Sequence, residues 1–283
     1  MKYAEIIIGP PGSGKSTYVA SKKDTLAHRN PFIVNLDPGN TKDAHFDYSI
    51  CAVSSSEAYQ HKYDVGPNMS TKAILEEFGS GFEQFFRENI EDTDHYVLFD
   101  FPGQIEFFIS SEIPNEIIKH LRSNGYSVVL VNLIDLVFFS NESSRISSYL
   151  ISALCLGLLE AAQINVISKC DNWNRIGIDC TLRDIADLCN LDDEQGKAPF
   201  YKETLMFVQN QGILPYEILD YANPLSIQAL QVSIDTASGM LFDDDYFATE
   251  KILKIPSRDK VFAVYECTQD SSNGQTQSTA ETH

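Results

Sequence analysis

Apolar positions along this chain gather into short runs: Tyr3 to Ile8, Phe32 to Leu36, Tyr96 to Phe99, Val128 to Ile134 and Ile164 to Ile167. Each run is continuous rather than alternating and is bounded by turn residues, the pattern of a strand covered on both faces. Between the runs the spacing becomes helical, as over Ser70 to Ile90, Ser111 to Arg122 and Glu142 to Ala161. Strands alternating with helices predict an α/β domain with a mainly parallel sheet, and such sheets bind ligands at the carboxyl ends of their strands. Residues that directly follow a strand are therefore the first to read for chemistry.

Two segments break the rhythm. Residues 41–70 carry His45, Asp47, a Ser54-Ser55-Ser56 run and the tripeptide Gly66-Pro67-Asn68, and read as an insertion. Residues 172–211 contain Leu182, Ile185, Ala186 and Leu188, then Leu205, Phe207 and Val208, which predict two helices packed on the flank of the sheet. The chain is expected to form one domain over 1–256. Residues 257–283 thin into polar composition and read as a tail, disordered at its Ser-, Thr- and Gln-rich end.

Composition narrows the partners. The 283 residues hold 40 acidic against 21 basic side chains, a formal charge of −19. That balance excludes a nucleic-acid surface, which needs clustered Lys and Arg, and favours a protein partner. Six cysteines lie scattered without C-x-x-C spacing, so neither a zinc site nor a disulfide framework is expected. No run approaches the ~20 apolar residues of a membrane span. The expected location is the cytoplasm, with the nucleus second.

The octapeptide Gly9-Pro10-Pro11-Gly12-Ser13-Gly14-Lys15-Ser16 matches G-x-x-x-x-G-K-[ST] between a predicted strand and a predicted helix. Gly12, Ser13, Gly14 and Thr17 would offer backbone N–H groups to phosphates, Lys15 would reach the β/γ-phosphates, and the Ser16 hydroxyl would serve Mg²⁺. This sets the fold expectation as a P-loop NTPase, three layers deep. The strand Tyr96 to Phe99 ends in Asp100-Phe101-Pro102-Gly103-Gln104. Here Asp100 would hold Mg²⁺ through water, Gly103 would donate to the γ-phosphate, and Gln104 would orient the attacking water. Ser168-Lys169-Cys170-Asp171 fits a base-reading [NT]-K-x-D element with Ser in the first position. The Asp171 carboxylate suits guanine, which offers it two donors, and Lys169 would lay its stem over the ring. Asp37, in Asn35-Leu36-Asp37-Pro38-Gly39, reads either as part of an Asp-Pro turn or as a carboxylate facing Mg²⁺ and the water. A last base contact is placed at Leu214-Pro215.

The tripeptide Gly66-Pro67-Asn68, lying between the Asp37 and Asp100 elements, makes the chain resemble the GPN-loop GTPases from about Tyr3 to Phe247. His45-Phe46-Asp47-Tyr48-Ser49 and Leu214-Pro215-Tyr216 make it most similar to the third eukaryotic paralogue group. The resemblance implies a GTP- and GDP-binding, Mg²⁺-dependent dimer, either with itself or with a sister GPN-loop GTPase. It further implies that Asn68 acts in trans on the partner's nucleotide, that Asp37, Asp100 and Gln104 serve Mg²⁺ and the hydrolytic water, and that no external arginine finger is needed. It also implies a role in assembly and nuclear import of RNA polymerase II through contact with its subunits. The chain departs from the family pattern in carrying Met69-Ser70 where Gly-Gly is usual, Gly39 where Ala is usual, and Phe101 where a smaller residue is common. A bulkier, stiffer loop at Met69-Ser70 would alter how Asn68 reaches across the dimer, which bears on turnover more than on binding. Two other readings are a nucleotide-stabilised scaffold with little turnover and a P-loop kinase, for which the dispersed Arg145, Arg175 and Arg183 offer no clear lid.

Overall fold

The five apolar runs form the inner strands of one sheet, and two strands of two residues each, which the pattern did not show, extend it at both edges. β1 (Lys2–Ile8), β2 (Pro31–Asn35), β3 (Tyr48–Ser49), β4 (Tyr96–Asp100), β5 (Tyr126–Asp135), β6 (Ala162–Ser168) and β7 (Glu217–Ile218) lie in the order β3-β2-β4-β1-β5-β6-β7. Every pairing is parallel, so all carboxyl ends face one way. The computed structural model describes residues 2–40, 46–178, 180–188, 203–204, 206–207, 210, 215–244, 246–250 and 255–273. No helix among them is long and apolar enough to cross a membrane.

The helices are α1 (Lys15–Thr25), α2 (Ser56–Tyr63), α3 (Pro67–Ser80), α4 (Phe82–Asn89), α5 (Ile105–Ser110), α6 (Ile113–Ser123), α7 (Glu142–Leu158), α8 (Leu182–Ala186), α9 (Pro224–Ser238), α10 (Tyr246–Thr249) and α11 (Arg258–Asn273). On one face, α1 and α9 bury Tyr18, Val19, Leu230 and Ile234 against Ile7, Leu98 and Val131. On the other, α3, α4 and α6 bury Ile74, Phe85, Ile117 and Leu121 against Ile6, Ile8 and Phe99. The result is a three-layer α/β fold. A third cluster fills the β6–β7 edge, where Tyr149 of α7, Ile185 of α8 and Phe262 of α11 surround Ile167 and Tyr216.

Local chemistry sets the boundaries. Asn141 accepts from the Ser144 N–H to cap α7, and Thr181 with Asp184 forms a capping box on α8. The helical pattern read over Ser70 to Ile90 splits at Gly81, whose N–H closes the end of α3 on the Glu77 and Phe78 carbonyls. Glycine is costly inside a helix, and breaking here lets Phe78, Phe82, Phe85 and Phe86 turn toward the same sheet face.

The polar stretch after 256 is not a free tail at its start. Arg258 opens α11 and donates to the Asp187 carboxylate at 2.7 Å and the Tyr216 carbonyl at 2.8 Å, while Val261, Phe262 and Tyr265 are buried. Three apolar residues on one helical face dock a segment whose average composition is polar. Residues 274–283 lie outside the described residues, as do Leu205 and Val208, and Phe207 is exposed. The insertion read over 41–70 ends in the structure at Gly66, because Pro67 already opens α3.

Beneath the sheet's α1 face, Glu5 is fully buried. It accepts from Tyr18 Oη at 2.6 Å, Tyr96 Oη at 2.8 Å and Lys22 Nζ at 3.3 Å. This network ties β1, β4 and α1 together directly under the turn that carries the phosphate-loop motif.

Candidate functional site

The loop between β1 and α1 can curl because of its glycines. Gly12 and Gly14 have φ of 78° and 92°, a region that side chains other than glycine seldom adopt. At Gly9 a Cβ would lie 2.1 Å from the Leu133 carbonyl oxygen, so the neighbouring strand excludes any side chain. α1 starts without a side-chain cap, leaving the N–H groups of its first turn for an anion, and Lys15, Ser16 and Thr17 line the cleft there. Lys15 Nζ is folded back onto the Gly9 and Pro10 carbonyls at 3.0 and 3.3 Å. Burial lowers its pKa, and the Asp100 and Asp37 carboxylates work against that shift.

Asp100 ends β4 beneath this loop. Ser16 Oγ donates to its Oδ2 at 3.2 Å, and Asn40 Nδ2 donates to Ser16 Oγ at 2.9 Å. The other oxygen, Oδ1, is buried without a hydrogen-bond partner. Burial pushes the Asp100 carboxyl from 3.8 up to about 7, Lys15 and the Ser16 hydroxyl oppose the rise, and Asp37 adds to it. An orphaned carboxylate oxygen beside a serine hydroxyl and Asp37 is a set of hard oxygen donors that fits a small divalent cation. Among the described residues no cluster of three or more His, Cys, Asp or Glu could hold a metal alone. A cation bound here would share its shell with ligand phosphates and water, as Mg²⁺ commonly does.

Gly103 closes the cleft from the β4 side, packed so tightly that a Cβ would lie 2.7 Å from the Pro11 nitrogen. Gln104 follows it and donates through Nε2 to Asn68 Oδ1 of the same chain at 3.1 Å. Gly66 caps α3 and Pro67 is its first residue, so Asn68 stands exposed in the first helical turn. Met69 beside it is exposed, whereas Ser70 is buried and bonded to Ser56 and the Pro67 carbonyl.

The cleft, of about 580 Å³, is lined by Gly12, Gly14, Lys15, Ser16, Thr17, Asp37, Gly103, Gln104 and Lys169 among the residues expected from sequence. Ser13 and Ser168 lie underneath it. Ser168 Oγ donates to the Ser13 carbonyl at 2.7 Å, with the Ile134 carbonyl at 3.2 Å, and so braces the base-reading turn against the phosphate loop instead of facing a ligand. Lys169 adopts a left-handed backbone with φ of 60° and pairs with Asp135 at 2.7 Å. Asp171 is exposed in the first turn of the 3₁₀ segment Cys170–Arg175, beyond the cleft proper.

Pro215 does not join them. It precedes β7, and because β7 runs parallel to β6, Pro215 sits at the amino end, opposite the cleft; Leu214 lies outside the described residues. The loop at the carboxyl end is Leu219 to Asn223, tied to the base-reading turn by Cys170 N–H donating to the Leu219 carbonyl at 3.2 Å. Sequence reading missed this loop, together with Asn40 and Asp135. Its signal was Asn223-Pro224, a cap followed by proline at the first helical position. The candidate lid arginines are committed elsewhere: Arg145 is buried on the Phe139 carbonyl, Arg183 pairs with Asp259 and Glu266, and none of Arg145, Arg175 and Arg183 lines the cleft.

Comparison with known proteins agrees with this geometry. The family model described as "Conserved hypothetical ATP binding protein" matches residues 7–240. GPN-loop GTPase 2 of Schizosaccharomyces pombe is 30% identical over 86% of this chain and 82% of its own length. That of Saccharomyces cerevisiae is 30% identical over 86% and 76%. GPN-loop GTPase 3 of Danio rerio is 29% identical over 60% of this chain and 61% of its own, so these identities do not single out the third paralogue group. A crystal structure of a GTPase from Pyrococcus abyssi in its apo form superposes with a TM-score of 0.59 at 18% identity, covering 77% of this chain and 89% of that one, which supports the P-loop fold. The chain belongs to the GPN-loop GTPase family.

Proposed function

We propose that the protein binds and hydrolyses GTP with Mg²⁺ and works as a nucleotide-controlled dimeric switch. The observation that carries this reading is the Asp100 carboxylate, buried under the phosphate loop with one oxygen on Ser16 and the other without a partner. When bound, Mg²⁺ would neutralise charge on the β- and γ-phosphates, and Ser16, Asp100 and Asp37 are the residues to hold it. The α1 N–H groups and Lys15 cradle the phosphates. Gly103, packed against the Pro11 backbone, would offer its N–H to the γ-phosphate, and Gln104, which donates to Asn68 of the same chain, would orient a water for in-line attack.

The family description names ATP, so the base needs its own argument. A carboxylate at Asp171 accepts from the N1–H and amino group of guanine, and adenine offers no such pair. GTP is therefore the proposed nucleotide. The stiff start of α3, with Pro67 at its head and Ser70 bonded beneath it, favours slow turnover.

Dimerisation with a second copy or a sister GPN-loop GTPase, action of Asn68 in trans, contact with RNA polymerase II subunits, and movement between cytoplasm and nucleus complete the proposal by family resemblance. An exposed stripe on α7 of Leu150, Leu154 and Leu158 supports a protein-contacting role. The test is a titration of GTP and ATP with Mg²⁺ while following assembly by native mass. GTP-selective binding with nucleotide-linked dimerisation supports the switch. ATP preference, or binding by a strict monomer, overturns it.

A further inference from the structure

β7 is two residues long and lies at the sheet edge, so the ladder gives little support to the loop Leu219 to Asn223 at its carboxyl end. The Leu219 N–H donates to the Ile167 carbonyl at 2.8 Å, Ser226 Oγ of α9 bridges the Asp220 N–H and carbonyl, and three further anchors tie the loop to other elements. The Leu219 carbonyl accepts from the Cys170 N–H at 3.2 Å. Asp220 is buried, and its carboxylate is divided: Oδ1 accepts from the Ala222 N–H at 2.8 Å and shapes the turn, and Oδ2 accepts from Tyr265 Oη at 2.7 Å. Asn223 Nδ2 reaches the Val261 carbonyl at 3.4 Å. Two of the three anchors come from α11, the C-terminal helix.

The loop in turn supports the base-reading element. Burial pushes the Cys170 thiol up, its hydrogen bond with Leu219 opposes the rise, and the charges of Asp220, Asp171 and Asp135 add to it. On its far side the loop carries Tyr221, whose hydroxyl stands 3.4 Å from Ser21 Oγ of α1. A continuous path runs from Tyr265 through Asp220 and Leu219 to Cys170, the neighbour of Asp171.

We propose that Tyr265 is a positioning residue for base selectivity: through Asp220 it fixes the loop that holds Asp171 at the height where a guanine edge would be read. This rests on the guanine reading proposed above. Losing the phenol leaves a buried carboxylate short of a donor, and the loop shifts toward solvent to recover one. The phosphate loop keeps supports outside this path, with Gly9 packed on the Leu133 carbonyl and Gly103 on Pro11, so the base end moves more than the phosphate end.

The experiment measures GDP and ADP affinity and melting temperature on the full chain for wild type, Tyr265→Phe and Tyr216→Phe. Tyr216→Phe removes a similar buried hydroxyl bond, to Ser152 at 2.7 Å, in the same core cluster but off this path. Tyr265→Phe is expected to weaken GDP about tenfold with ADP unchanged, the size of one hydrogen bond to a charged group. Tyr216→Phe should lower the melting temperature and leave the GDP-to-ADP ratio intact. Adding Asp220→Ala to Tyr265→Phe should cost less selectivity than the two single losses combined, since the pair share one contact while Asp220 also holds the Ala222 N–H. A Tyr265→Phe protein that keeps the ratio, or loses GDP and ADP equally, overturns the positioning role alone. A wild type that does not favour GDP overturns the guanine reading, and this proposal with it.

Discussion

Replacing Asp100 by Asn should stabilise the nucleotide-free protein while removing its function. The carboxyl, normally near 3.8, is pushed up to about 7 chiefly by burial, so folding opposes its ionisation. A carboxyl raised in the folded state favours folding at low pH, and that contribution is lost as pH rises through the folded value. Set against a neutral isostere, the charge therefore costs nothing near pH 4, about 1.5 kcal/mol at pH 5, and on the order of 4 kcal/mol at pH 8, where it levels off. Asn keeps the shape and lacks the charge. Stripped of nucleotide and metal, the variant should melt above wild type at pH 8, by up to about 10 °C for a domain of this size, and the gap should close on acidification. Adding GDP and Mg²⁺ should reverse the order, because ligand binding raises only the wild type. Calorimetry over pH 4 to 8 makes the check. A variant that melts below wild type at pH 8, or a gap indifferent to pH, would refute the claim that a buried, underpaired carboxylate is held here for a cation.

Gly103→Ala drives a Cβ into the Pro11 backbone at 2.7 and 2.9 Å, and should cost about 1–3 kcal/mol in melting experiments and slow single-turnover hydrolysis more than it weakens GDP. Asp171→Asn should weaken GDP at least tenfold while sparing xanthosine diphosphate, read by competition binding; equal affinity for both in the variant and wild type removes Asp171 from the base site. Gln104→Ala and Asn68→Ala should each lower the hydrolysis rate roughly tenfold or more, and the double variant by less than the two losses combined, since the two share one bond at 3.1 Å. Full additivity in that cycle would separate their roles.

The sheet was legible because a strand covered on both faces has to be apolar throughout, and the runs at Ile6 or Val131 have no other use. The phosphate loop and Asp100 were legible for a related reason: their chemistry depends on residue types at fixed spacing directly after a strand. Contacts between distant segments leave no such trace. Nothing near Ser168 announces that its hydroxyl will reach Ser13, and nothing near Asp220 announces Tyr265. The placement of Pro215 failed because motif proximity does not reveal strand direction; only the parallel pairing of β7 with β6 assigns Pro215 to the wrong end. The helix α11 was read as tail because composition averages over a face, and three apolar side chains suffice to dock one.

The Glu5 network constrains how this chain can drift. Glu5 and Lys22 are both buried, with Tyr18 and Tyr96 completing the carboxylate's partners. Changing any one of them strands a charge or a donor in the interior, at about 3–5 kcal/mol for a charge, whereas exchanging the ion pair for apolar residues together is close to neutral. Single steps away from the present set are thus closed and joint steps are open. Lineages descending from this chain should hold the four positions as an unchanged block or replace them in concert, with few intermediates between the two conditions.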